Sequence, residues 1–368
     1  MKFYEYKAHE IFRRYGIPVP RGVLAVAPED ITDPPLPCAV KAQVLIGGRG
    51  KAGGIKFANT VEEARAAAKE ILGMQIGPYT VHQIYVQERL EIAQELYLSI
   101  TIDRSARAPL LMASATGGMD IESVPPKKIV RVHIPPLVGM QPYISRNLSR
   151  SLGLPKEVAK QVSDIAGKMH ALFRGEDAEL VEINPLAVLK DGRVIAGDAK
   201  LIVDDNAEYR HPEYADLPQD RTPLEQEAHE KGITFIQLDG DIGVIANGAG
   251  LTMATLDVLN LKGGKGGTFL DLGGTDDPEK VKQAFEILLK AHPSAILLNI
   301  FGGITKADTV AMGVKEALEE MRVRVPVVAR IKGVNEERAR DLLRGIGHPA
   351  DTLEEAAELA VKVRASGA

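Results

Sequence analysis

From residue 242 onward the chain repeats one unit four times: a short apolar strand, a tight loop and an amphipathic helix. IGVIA (242–246) precedes a glycine loop and a helix over 250–260; FLDLGG precedes a helix over 278–291, AILLNIFGG one over 306–321, and VPVVARI one over 335–345. Near-continuous apolar strands are buried on both faces, and strands joined through helices run parallel. The pattern therefore specifies a doubly wound parallel sheet, with its ligand site at the carboxyl ends of the strands. At 368 residues the chain is too long for that domain alone, so a second domain precedes it.

The earlier residues have another texture. Residues 4–15 read as an amphipathic helix that stops at Gly16-Ile17-Pro18-Val19-Pro20, where proline forces an extended path. Strands are expected over 81–88, 94–102, 108–115 and 128–134, and helices over 61–72 and 155–174, the latter with Pro155 at its start. A further strand pair, 178–189 and 193–203, flanks the hairpin signal Lys190-Asp191-Gly192. Hairpins mixed with helices imply an antiparallel α+β domain. Residues 204–238 are polar and proline-containing, with one short helix, which puts the domain boundary near 238 and gives domains 1–238 and 239–368.

Charges of both signs are mixed through the chain and the net charge is -5, so no basic face broad enough for nucleic acid is expected. The single cysteine, Cys38, excludes an internal disulfide framework and reads as a small buried apolar residue. The N-terminal MKFYEYKAHEIFRRYG is charged throughout, unlike a signal peptide or a membrane span, so a cytoplasmic protein with no membrane segment is expected.

Gly48-Arg49-Gly50-Lys51-Ala52-Gly53 matches the Gly-x-Gly-x-x-Gly dinucleotide fingerprint. That fingerprint needs a helix directly after the glycines, because the pyrophosphate rests on its N-terminus. Here Gly54 is followed by IKFANT, a strand-like run, and no Gly-Lys-Ser/Thr completes a phosphate-binding P-loop. What remains is a basic hairpin flap carrying Arg49 and Lys51, with Lys41 near the end of the preceding strand: three cations within eleven residues. Such a flap suits an anion such as a triphosphate, the glycines letting backbone approach it closely. A surface hairpin with solvated charges is the competing reading.

Val181-Glu182-Ile183-Asn184-Pro185, with Asp198 beyond the hairpin, is the second signal. Strand alternation puts Glu182 and Asn184 on one face. A three-residue loop with Gly192 left-handed sets Asn184 opposite Asp198 on that face, whereas a two-residue loop would separate them; the three-residue form is expected. Hard oxygen ligands so arranged suit Mg²⁺ carrying nucleotide phosphates; a solvated polar face is the alternative. Asn247-Gly248-Ala249-Gly250 and Gly302-Gly303-Ile304-Thr305 follow apolar strands and open helices, whose N-terminal amides attract anions. Glycines serving only tight turns are the other reading, and for Gly273-Gly274 the two stand level.

The runs EYKAHEIFRRYGIPVP, VKAQVLIGGRGKAGG, VEINPLAV, GDAKL, NGAGLTMATLD, FLDLGGTDD and NIFGGITKAD, in this order, resemble the β subunits of succinyl-CoA synthetases (succinate–CoA ligases) from end to end. The resemblance implies an ATP-grasp N-terminal domain followed by a flavodoxin-like C-terminal domain. It also implies an α-subunit partner, in a heterodimer or heterotetramer, that carries the phosphorylated histidine and most of the CoA site. The implied reaction is reversible: succinate, CoA and ATP or GTP give succinyl-CoA, ADP or GDP, and phosphate, with Mg²⁺. By position, Lys41, Gly48, Arg49 and Gly50 would contact the nucleotide phosphates, Glu95 the ribose, and YVQERLE, with Gln87 and Leu90, the base. Asn184 and Asp198 would bind Mg²⁺, Asn247 and Gly303-Ile304-Thr305 substrate, and Glu182 would orient the partner's imidazole. Relatives can carry an acid at the position of Gln87; an amide can donate or accept, so both ADP and GDP are expected to be used. A malate–CoA ligase β subunit would share this layout. A single-chain ATP-grasp carboxylate–amine ligase lacks the second doubly wound domain, the intact Lys41, Arg49, Asn184 and Asp198 argue against a regulatory subunit without turnover, and the strand after Gly54 argues against an NAD-dependent dehydrogenase.

Overall fold

The computed structural model describes residues 1–214, 217, 221–275, 277–302, 306–321 and 325–366, and the chain divides into two units, Met1–Asp220 and Arg221–Ala368. In the first unit, apolar residues of the helix Lys156–Gly175 recur at Val158, Val162, Ile165, Met169 and Leu172, one stripe of a 3.6-residue period. The stripe packs on Leu96, Leu98 and Ile100 of the strand Ile92–Asp103 and on Val181 and Ile183 of Ala178–Leu189. These two strands lie at the centre of an antiparallel sheet that also contains Val194–Ala196, Lys200–Val203, Ala108–Ser114 and Ile129–His133. Because strand side chains alternate, the face turned away from this core carries Glu95, Tyr97 and Ser99 on one strand and Glu182 and Asn184 on its neighbour.

A four-stranded antiparallel sheet, ordered Gly22–Ala25, Ile84–Glu88, Cys38–Ala42 and Ile55–Ala58, packs on the helix Val61–Ile71. Thr60 caps that helix by accepting the Glu63 N–H, and its alanines Ala64, Ala67 and Ala68 allow close approach to the sheet. Cys38 is fully buried there, as expected. Ile55–Ala58 is the strand, in place of a helix, that rules out the dinucleotide fingerprint.

The hairpin after Ala178–Leu189 is the three-residue form: Leu189 N–H bonds the Arg193 carbonyl, Gly192 takes φ 84°, and Val188 faces Val194. The expected strand 193–203, however, breaks into Val194–Ala196 and Lys200–Val203. Gly197, Asp198 and Ala199 leave the ladder between two stretches of unchanged register, so Asp198 is not paired with Asn184 as a continuous strand would have placed it.

In the second unit the sheet runs Thr234–Gln237, Gly266–Asp271, Ile242–Ala246, Ala295–Gly302, Val327–Gly333, Gly347–Pro349. All neighbours are parallel except the first pair. Setting aside the antiparallel edge strand, the order is 2-1-3-4-5, the flavodoxin-like order. Ile245, Ile296, Leu298 and Ile300 face a core built with the helices Pro278–Lys290 and Ala307–Met321; Val244, Leu297 and Val328 face the helices Ala249–Leu261 and Leu353–Ser366. The helix Pro223–Glu230 and the edge strand Thr234–Gln237 belong to this unit: Ala228, Ile233 and Phe235 join its core. The division therefore falls at Asp220–Arg221, ahead of residue 238, because a short helix and an edge strand that pack on this unit lie within what reads as polar linker. Among the described residues no helix is long and apolar enough to cross a membrane.

His9 is fully buried beside Phe12 and Tyr85, and neither ring nitrogen has a hydrogen-bond partner among the described residues. Burial, only partly opposed by Glu5 and reinforced by Lys41, Arg13 and Arg49, pushes its pKa down to about 3. The folded state thus refuses a proton that the unfolded state takes up below pH about 6.5, and stability contributed by neutral His9 is lost as pH falls through that window. Urea unfolding of wild type should lose about 2 kcal/mol more than His9→Leu between about pH 7 and pH 5. Equal losses would refute the assignment.

Candidate nucleotide and metal site

The flap and the sheet face meet in the first unit around four charged side chains. Glu5, Lys41 and Arg49 are buried at 3%, 8% and 8% exposure, so each must be paired to be tolerated. Glu5 Oε1 accepts from Lys41 Nζ at 2.7 Å and Glu5 Oε2 from Arg49 Nη1 at 2.7 Å. Arg49 Nη2 donates to both Asp198 oxygens, at 2.9 and 2.8 Å. The four charges thus form one chain of ion pairs from the first helix, Glu5–Arg14, through the flap to the broken strand.

The break at Gly197 has a use. Its carbonyl accepts from Lys41 Nζ at 3.0 Å and from Gln87 Nε2 at 3.2 Å, joining the two side chains through one acceptor. Gln87 is 3% exposed and its Oε1 has no partner among the described residues. Leu90, half-buried, packs on Ala187, Leu189 and Ile195. Gly48 and Gly50 sit in the flap turn, Gly48 with φ 80°.

Glu182 and Asn184 share a face as expected. Tyr97 donates its hydroxyl to Glu182 at 2.9 Å, and burial raises the Glu182 pKa against the pull of Lys200 and of that hydrogen bond. Asn184 does not touch Asp198: its Oδ1 accepts the Gly118 N–H at 2.7 Å and its Nδ2 donates to the Met119 carbonyl at 2.9 Å. The same loop reaches the flap, where Asp120 pairs with Lys51 at 2.5 Å, and Glu95, exposed, lies against Gly118. Asn184 and Asp198 together offer hard oxygen donors of the kind Mg²⁺ takes while keeping waters, and so fit that ion in chemistry. Glu5, the flap, the 118–122 loop, Glu182, Asn184 and Asp198 line a cavity of 490 Å³. A larger groove, 1030 Å³, runs between the helices Pro142–Ser151 and Lys156–Gly175, and none of the candidate residues lines it.

Sequence reasoning missed Glu5, Gly197 and the loop Gly117–Asp120. Glu5 had a signal: it occupies the apolar stripe of its helix with Ala8, Ile11 and Phe12, where a carboxylate demands a partner.

In the second unit Asn247 is held by backbone: its Nδ2 donates to the Phe301 carbonyl at 2.8 Å and its Oδ1 accepts the Phe301 N–H at 2.9 Å. Asp271 accepts from the N–H groups of Gly248 and Gly273, and Gly273 has φ 60°, the tight-turn role. Gly303, Ile304 and Thr305 lie outside the described residues.

An ATP-grasp domain profile matches residues 2–188 and a CoA-ligase profile residues 245–363. The fold is similar to an ATP citrate lyase from Methanothrix soehngenii in complex with citrate and coenzyme A, with TM-score 0.73 at 19% identity, covering 98% of this chain and 99% of that one. Succinate–CoA ligase [ADP-forming] β subunits of Myxococcus xanthus and Pyrobaculum calidifontis are 45% and 46% identical, covering 98% and 99% of this chain and 99% of each relative. With both domain profiles matched in order and such identity sustained from end to end, the chain belongs to the succinate–CoA ligase β-subunit family.

Proposed function

We propose that this chain is the catalytic β subunit of a succinate–CoA ligase. With an α subunit it converts succinate, CoA and a nucleoside triphosphate reversibly into succinyl-CoA, nucleoside diphosphate and phosphate, in the cytoplasm. The observation that carries the reading is Arg49 bonded to the Asp198 carboxylate at the 490 Å³ cavity under the flap, with Lys41 joined to Arg49 behind it through Glu5. Two buried cations beside carboxylate and amide oxygens suit phosphate and a metal ion, and relatives of that name align over 99% of their length.

Lys41 and Arg49 hold the phosphates, with Gly48 and Gly50 giving backbone access, and Glu95 takes the ribose hydroxyls. Asn184 and Asp198 would hold Mg²⁺, which when bound would supply charge neutralisation at the phosphates. Glu182, oriented by Tyr97, steadies the imidazole of the α subunit as that nitrogen receives the phosphoryl group and the nucleotide leaves as diphosphate. The phosphoryl group then passes to a succinate carboxylate held by Asn247 and Gly303-Ile304-Thr305. CoA thiolate attacks the acyl carbon and phosphate departs.

Gln87 sets the base preference. Its Nε2 is spent on Gly197, leaving Oε1 as the acceptor, which suits the adenine amino group. Guanine, whose oxygen needs a donor, requires the amide to turn and forgo that hydrogen bond, a cost of about 1 kcal/mol, so GDP should be used about fivefold to tenfold less well than ADP. A preference above about a hundredfold would overturn this role, since one neutral hydrogen bond cannot supply it.

The test is thiol-ester formation by the chain co-purified with its α subunit, with CoA, Mg²⁺, either nucleotide, and succinate or malate in parallel. Succinate-dependent turnover with an acid-labile phosphate on the α subunit's histidine supports the proposal. Turnover with malate alone overturns the substrate, and no turnover overturns the activity.

A further inference from the structure

The two cations assigned to the phosphates share one internal anion. Glu5 lies on the buried stripe of the first helix, and each of its carboxylate oxygens takes one cation, Lys41 or Arg49. Burial by itself would raise its pKa; Arg49 and then Lys41 outweigh that and hold the carboxyl well below its usual range.

The bonds around Arg49 are divided by direction. Nη1 faces inward, to Glu5, whose side chain is 1% exposed, and to the Ala42 carbonyl at 3.1 Å. Nη2 faces outward, to Asp198, whose side chain is 32% exposed at the cavity. Lys41 is likewise fastened inward, to Glu5 and to the Gly197 carbonyl. A guanidinium is a rigid plane, so fixing one terminal nitrogen fixes where the other points.

We propose that Glu5 is a positioning residue for phosphoryl transfer, holding Lys41 and Arg49 in fixed relation while Arg49 Nη2 exchanges the Asp198 carboxylate for a phosphate oxygen. This rests on the reading that nucleotide phosphates bind at the cavity. The exchange keeps every buried charge paired: when Asp198 turns to a metal ion, the arriving phosphate replaces it at Nη2, and Nη1 never leaves Glu5. Without the Glu5 charge, Lys41, Arg49 and Asp198 carry one excess positive charge. Anion binding then survives, but Arg49 loses its inner anchor and its strongest remaining partner is Asp198, the group that must be released. The defect falls on the reaction step and not on ground-state affinity.

The experiment compares wild type, Glu5→Gln and Glu5→Asp. Binding of Mg²⁺-free ADP is measured on the full chain by calorimetry, and kcat and KM for the nucleotide on the complex with its α subunit. For Glu5→Gln we expect ADP affinity within about threefold of wild type or tighter, with kcat at least about tenfold lower. Glu5→Asp keeps the charge but is one methylene short of reaching both cations, and should fall between. A kcat within about twofold of wild type overturns the proposal, as does a parallel loss of kcat, ADP affinity and unfolding midpoint, the signature of a purely structural residue. If Glu5→Gln does not fold, Glu5→Asp decides alone: lowered kcat with unchanged ADP affinity supports the proposal, and unchanged kcat overturns it. Wild-type chain that binds no ADP overturns the nucleotide reading itself, before any variant is compared.

Discussion

Asp198→Ala is expected to lower turnover of the complex by at least about a hundredfold: in the proposed role Asp198 is a metal ligand, and losing a ligand costs more than losing a group behind one. Asp198 has two jobs in this structure: it offers the cavity its partly exposed carboxylate and it closes the ion-pair chain on Arg49. Alanine removes both, and the two effects are separable. Arg49 keeps Glu5 and the Ala42 carbonyl, and a third of the Asp198 side chain already meets solvent, so the stability loss should stay near 1–3 kcal/mol, below the cost of orphaning a wholly buried charge. Asp198→Asn isolates the catalytic part, since it keeps the volume and one acceptor for Arg49 while discarding the charge. Turnover titrated against Mg²⁺ should show a raised metal requirement in Asn and none recoverable in Ala. Wild-type turnover in Asp198→Ala would remove the metal role and return the chain to a regulatory, nucleotide-binding reading.

The C-terminal fold was legible because its strands are almost purely apolar and each leads to a helix. Ile242–Ala246 and Ala295–Gly302 could be nothing but central strands. The three-residue hairpin was legible for a related reason: Gly192 at the turn fixes the loop length, and the loop length fixes the register of the flanking strands. What alternation cannot reveal is where a strand stops pairing. Gly197-Asp198-Ala199 continues a strand-like pattern, yet its backbone turns aside to present the Gly197 carbonyl to Lys41 and Gln87. Glu5 was hidden differently. A charged residue on an apolar stripe announces an unmet need, but its partners Lys41 and Arg49 lie on another sheet and a flap, and only tertiary structure brings them there. The edge strand Thr234–Gln237 was lost in polar surroundings because only Phe235 of its four residues is buried.

Within the flap, Arg49→Lys should reduce turnover by about a hundredfold while a neutral change at Lys51 costs no more than about threefold. The two cations are two residues apart and carry the same charge, so net charge cannot separate them. Their surroundings can. The Arg49 side chain is 9% exposed and joins Glu5 to Asp198 through two different nitrogens; the Lys51 side chain is 78% exposed and, among the described residues, pairs with Asp120 alone. A lysine at position 49 keeps the charge, so the fold should hold, but a single ammonium on a flexible stem cannot keep the inner anchor and address a phosphate in a fixed direction. Exposed Lys51 is screened by water and its ion pair contributes little. ADP affinity should weaken only modestly in Arg49→Lys, because Lys41 and the substituted ammonium still attract the phosphates, and most of the loss should therefore appear in kcat. Equal effects of Arg49→Lys and Lys51→Ala on kcat would mean that the flap acts through its charge alone, and the directed guanidinium would have to be abandoned.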